Sequence, residues 1–122
     1  MSDRDLRPVR WMGPSLEDLG RFPSPVQQAT GFALYQAQKG ERALSTKPLK
    51  GVVRGAGVLE VVEDHQGDTF RAVYTVKFRD AVYVLRAFQK KSKKGVKTPK
   101  RHIDLIKARY EMAKQDYEGH ER

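Results

Sequence analysis

The sequence predicts an α+β domain: a short N-terminal strand, a helical hairpin, a three-strand meander and a C-terminal helix, in the order β-α-α-β-β-β-α. Three patterns lead there. Apolar side chains recur at helical spacing over 24–40 and again over 103–117. Residues 69–78 (TFRAVYTVKF) alternate as a strand does. Short turns join the strand-like runs between 58 and 89, which favours antiparallel neighbours in one small sheet with the hairpin on one face.

Each element has a local reason. Arg7–Met12 (RPVRWM) reads as the first strand, with Val9 and Trp11 on one side and Trp11 as its core anchor. Ser15 is expected to cap a helix over Leu16–Phe22, with Glu17 and Asp18 in the first turn, where the helix dipole favours acids. Ser24-Pro25-Val26-Gln27 is a stronger start: Ser24 caps, Pro25 takes the first helical position, and Gln27 completes a capping box. Val26, Ala29, Ala33 and Ala37 mark the buried side of this helix, and Gly40 ends it. Residues 41–57 are expected to be a loop, with turn glycines at Gly51, Gly55 and Gly57. Strands over 58–63, 69–78 and 82–89 follow, separated by turns at 64–68 and 79–81. In the middle strand Phe70, Ala72, Tyr74, Val76 and Phe78 share one face; Arg71, Val73, Thr75 and Lys77 share the other. Thr98-Pro99 opens the last helix as a cap plus proline. Its stripe Ile103, Ile106, Tyr110, Ala113 and Tyr117 ends near Tyr117 and packs either on its own sheet or on a partner. One domain is expected over 7–118, with flexible segments at 1–6 and 119–122.

Composition narrows the function. The chain has 122 residues, enough for one small core, and no cysteine, which excludes disulfide scaffolds and thiolate metal sites. No membrane span and no signal peptide are expected, which makes the cytoplasm the default location. His65, His102 and His120 do not fall at metal-ligand spacing, and no phosphate-cradling glycine loop or serine nucleophile elbow occurs. No metal and no cofactor is therefore expected. The net charge is +9, and residues 71–122 supply all of the excess. That asymmetry points to a polyanion, nucleic acid first.

The basic run Gln89–Arg101 (QKKSKKGVKTPKR) is the strongest signal. It carries Lys90, Lys91, Lys93, Lys94, Lys97, Lys100 and Arg101 without one acid, and it leads into a helix N-terminus. Such a density is either a solvated surface loop or a phosphate-binding edge. Arg71 and Lys77, on one strand face, either stay wet or hold an anion. Phe88, beside the lysines, either stacks on a base or belongs to the core.

Three stretches now carry a resemblance: Thr69–Phe78 (TFRAVYTVKF), Ala81–Ser92 (AVYVLRAFQKKS), and Thr98-Pro99 followed by Ile103–Ile106 (IDLI). Together they resemble the phage-related, HigB-like branch of the RelE toxin superfamily, over about Val9 to Arg109. The resemblance implies a RelE-like fold, with a helical hairpin packed on a small, mostly antiparallel sheet. It implies a toxin of a type II toxin–antitoxin pair, an endoribonuclease that cuts mRNA on the 70S ribosome. It also implies a helix-turn-helix, HigA-like antitoxin as partner in a hetero-oligomer. Arg71 matches the family's strand arginine, which clamps the scissile phosphate, and Lys90 and Lys91 match its basic pair. Lys77, Phe88, Lys93, Lys94, Lys97, Lys100 and Arg101 become candidates for RNA contact. Two departures stand out. Glu60 and Val62 replace strand lysines found in some relatives, and no tyrosine follows the basic loop before Tyr110. The general base is left open among His102, Glu60 and a lysine of depressed pKa. The competing readings are a non-catalytic basic nucleic-acid-binding module and a degenerate toxin that only binds its antitoxin.

Overall fold

The computed structural model describes residues 6–54, 57–90 and 98–120. Its elements are β1 (Val9–Trp11), α1 (Ser15–Gly20), α2 (Ser24–Gln38), β2 (Thr46–Pro48), β3 (Val58–His65), β4 (Asp68–Thr75), β5 (Val82–Lys90) and α3 (Lys100–His120). The class is α+β, as the sequence patterns indicate. The five strands lie in the order β1-β5-β4-β3-β2; only β1 against β5 is parallel. The basic run at 91–97, with Lys91, Lys93, Lys94 and Lys97, lies outside the described residues.

The sheet is covered on both faces. Ala33, Leu34 and Ala37 of α2 pack on Leu59, Val61, Ala72, Tyr74, Val82 and Val84. Phe22, Val26, Phe70 and Ala87 extend that layer, with Phe22 meeting Phe70 edge-on at 5.0 Å. On the opposite face Ile106, Tyr110 and Ala113 of α3 pack on Val58, Val73, Tyr83, Leu85 and Phe88. The C-terminal stripe thus serves the protein's own core. Burying Ile106 and Tyr110 contributes about 1.5–3 kcal/mol each, enough to hold a helix whose other faces are charged.

Several local expectations are corrected. Ser15 is not a cap: Pro14 precedes the helix, and the buried Ser15 hydroxyl donates to the Val84 carbonyl at 3.3 Å. The capping box at Ser24 does not form. The Pro23 carbonyl already accepts from Val26 and Gln27, so the helix begins at Ser24, and Gln27 Nε2 instead donates to the carbonyls of Gly20 and Phe22. Gly40 ends α2 as expected: its φ of 83° lets Gly40 and Glu41 donate back to Ala37 and Gln36. The loop at 41–57 contains β2, an edge strand too short to show alternation. Residues Gln66 and Gly67, both at positive φ, make a two-residue hairpin turn, so β3 and β4 run closer to it than expected. Strand β4 ends at Thr75, because Lys77 N–H donates to the Thr75 hydroxyl and Val76 N–H to the Gly57 carbonyl. Released from the pleat, Phe78 turns to the α3 side, where it meets Tyr83, Tyr110 and Tyr117 at 5.3–5.7 Å. Thr98 does not cap α3. Pro99 supplies the first carbonyl, and the helix continues past Tyr117 to His120.

One irregularity matters for the site. Val73 lies opposite Arg86, and Tyr74 opposite Val84, so Leu85 is an extra residue in β5, a β-bulge. Its carbonyl accepts from the buried guanidinium of Arg109 at 3.1 Å. Beyond the bulge Arg86, Phe88 and Lys90 face α3, while Ala87 and Gln89 face the other way.

Candidate active site

The pairing register gathers a cluster on the α3 face. Arg71 lies directly opposite Phe88, and Glu60 directly opposite Val73, so Glu60 and Arg71 are diagonal neighbours. Arg71 Nη1 donates to Glu60 Oε1 at 2.7 Å, with side chains 5% and 2% exposed. Taking that guanidinium out of water demands such a partner. Glu60 Oε2 accepts from the Thr98 hydroxyl at 3.1 Å, and Lys47, its cross-strand neighbour on β2, stands 4.0 Å from Oε1. Lys90 is buried at the end of β5. Burial, then the positive charges of Arg71 and Lys47, lower its pKa, and Glu60 partly offsets them.

His102, in the first turn of α3, completes the cluster. Its ring stacks on Phe88 at 4.1 Å and 13°. Arg86 Nε donates to His102 Nδ1 at 2.9 Å, and the Arg86 guanidinium lies 5.5 Å from the Phe88 ring centre. Burial, and then Arg86, Arg101 and Lys90, push the His102 pKa down to about 4. The imidazole is therefore neutral at pH 7. On the outer side of β5, Asp18, Arg21 and Phe22 join Arg86–Gln89 around a cleft of about 280 Å³.

A family model for the phage-derived Gp49-like proteins (DUF891) matches residues 17–111, a span that holds every member of this cluster. The chain belongs to that family. No curated protein matches this Gp49-like chain. Among solved structures, a chain of the toxin–antitoxin complex RelBE2 (Rv2865-2866) from Mycobacterium tuberculosis is similar, with 19% identity and a TM-score of 0.46. The alignment covers 75% of the Gp49-like chain and all of that chain.

The candidate residues fare differently in this Gp49-like protein. Arg71, Lys90, Glu60 and His102 come together. Arg71 is not wet: it is buried, and Glu60 supplies the counter-charge. Phe88 is core, with its ring covered by His102, so it offers no open stacking platform. Lys77 leaves the site: it is exposed beyond the end of β4, at the opposite end of the sheet from Lys90. Lys100 is exposed and paired with Asp104 at 2.9 Å, while Arg101 is exposed beside His102. Sequence reasoning missed Arg86, Lys47 and the Thr98–Glu60 bond. Strict alternation puts Arg86 with Val82 and Val84, and only the bulge brings it to the site. Among the described residues no group of His, Asp and Glu is arranged to hold a metal ion. No described helix is long and apolar enough to cross a membrane. The cluster offers cations to hold an anion, a carboxylate that can accept a proton and a neutral imidazole.

Proposed function

We propose that this protein is the toxin of a type II toxin–antitoxin pair and acts as a ribosome-dependent endoribonuclease of the HigB-like kind. The observation that supports the reading most is the convergence of Arg71, Lys90, Glu60 and His102 at one end of the sheet, next to the basic run. Cleavage by the ribose 2′-OH needs a base, cations for the dianionic phosphorane, and a donor for the departing 5′ oxygen. In this proposal the scissile phosphate replaces Glu60 as the partner of Arg71. That exchange releases a carboxylate to take the 2′ proton. The 2′ oxygen bonds to phosphorus, the P–O5′ bond breaks as one lysine of the Lys90–Lys91 pair gives its proton to the departing oxygen, and a 2′,3′-cyclic phosphate and a 5′-hydroxyl result. Arg71 holds the phosphate bidentately and Lys90 adds charge. Lys93, Lys94, Lys97, Lys100 and Arg101 hold flanking RNA. The partner is a helix-turn-helix, HigA-like antitoxin, and the site of action is mRNA on the 70S ribosome in the cytoplasm.

One observation favours a second reading, a toxin that only binds its antitoxin. Arg71 is already neutralised by Glu60 and is buried. One experiment separates the two. The protein is induced alone beside Arg71→Ala and Lys90→Ala/Lys91→Ala, and 5′ ends of cellular mRNA are mapped. Growth arrest by the wild type only, with codon-phased breaks, is the outcome expected of the nuclease. Normal growth and intact mRNA from folded, well-expressed protein refute it.

A further inference from the structure

Arg86 has no part in the chemistry above, yet its contact with His102 is specific. A guanidinium Nε–H can only donate, so the ring nitrogen 2.9 Å from it must carry a lone pair. A neutral imidazole has one N–H, and with Nδ1 bare the proton must sit on Nε2. Phe88 fixes the plane of the ring by stacking at 4.1 Å, and Arg86 packs against the same phenyl group at 5.5 Å. We propose that Arg86 is a positioning residue that locks His102 in the Nε2–H tautomer, so that His102 meets an anionic substrate as a hydrogen-bond donor and not as a base. Its catalytic consequence rests on the ribonuclease reading; the tautomer does not. Of the candidate bases, His102 is then withdrawn. Protonation at Nδ1 would set two N–H groups against each other. The other charges that bear on the ring, Lys90 of β5 and Arg101 of α3, act in the same direction.

Nitrogen-15 NMR of the full chain tests this, with the His102 signals assigned by their loss in His102→Gln. The wild type should show one tautomer, Nε2–H, and a titration midpoint near 4. Arg86→Met places a methyl group where Nε was. It should give the tautomer mixture of an unconstrained ring and raise the midpoint by about one unit, burial being the larger, unchanged cause. Arg86→Glu places an acceptor there and should turn the ring to Nδ1–H. Arg86→Lys keeps a cationic donor and should keep the wild-type tautomer. A wild-type ring protonated on Nδ1, or Arg86→Met and Arg86→Glu rings indistinguishable from wild type, overturns the proposal. Should Arg86→Met not fold, the wild-type and Arg86→Glu spectra decide. In the cleavage assay Arg86→Met should lose about tenfold, one hydrogen bond's worth, and Arg86→Lys should recover part of it. Absence of cleavage by the wild type sinks the nuclease reading and leaves the tautomer result standing.

Discussion

Glu60→Ala strands a guanidinium. Arg71 and Glu60 expose 5% and 2% of their side chains and meet at 2.7 Å, so the variant leaves a charge where water does not reach. Removing one member of such a pair costs about 3–5 kcal/mol. That is a fifth or more of the roughly 5–15 kcal/mol that holds a domain together. With a urea slope of about 2 kcal/mol per molar, the unfolding midpoint should fall by about 2 M. Glu60→Gln keeps an acceptor for Arg71 Nη1 and for the Thr98 hydroxyl, and should lose only about 1–2 kcal/mol. Glu60→Met with Arg71→Met removes both charges at similar volume and should come within about 1 kcal/mol of wild type. With the single variants Glu60→Met and Arg71→Met, the double variant and the wild type form a double-mutant cycle, in which the double variant should lose far less than the sum of the singles. A Glu60→Ala midpoint within error of wild type, or a double variant as unstable as the sum of the singles, refutes the account of a closed, mutually dependent pair.

Two further outcomes follow from other parts of the fold. Gly13 has a φ of 55°, and an added Cβ would meet Arg109 Nε at 3.0 Å, so Gly13→Ala should lose about 1–3 kcal/mol in thermal or urea unfolding. An unchanged midpoint contradicts that strain. The Tyr83 hydroxyl donates to Asp116 at 2.8 Å, and burial followed by that carboxylate raises its pKa to about 12. Folding then favours the neutral phenol, so this stabilisation is complete below pH 10 and is lost as pH rises from 10 to 12. Tyr83→Phe should flatten that alkaline fall, and a Tyr83 phenol that ionises with the exposed tyrosines contradicts it.

The periodic parts of this fold are legible in the sequence because they are repeated signals. The stripe from Ile103 to Tyr117 and the alternation from Phe70 to Tyr74 each state one fact several times. Arg71, Glu60, Lys90 and His102 were identifiable as chemistry; the meeting of the first three follows from the strand register, and His102 arrives on α3. What escaped rests on single events. A three-residue edge strand has no period. Thr98 and Ser15 look like caps, yet each hydroxyl found a partner across the fold, Glu60 and Val84, that no local pattern shows. Phe78 changed sides because the strand stopped three residues early. Burial of Arg71 was invisible because its counter-ion stands eleven residues upstream, on a neighbouring strand.

The bulge at Leu85 makes the identity of the site a question of phase. Downstream of it, the side chains on the α3 face are Arg86, Phe88 and Lys90; the same residues in strict alternation, without the bulge, would present Ala87 and Gln89 there instead. Deleting Leu85 would therefore leave plain alternation with Arg86, Phe88 and Lys90 still on the α3 face, whereas one residue inserted between Leu85 and Arg86, with the bulge kept, would exchange this cationic, aromatic surface for a small neutral one. A change of length in this strand that the bulge does not absorb is a change of surface, while many substitutions in it are only changes of stability.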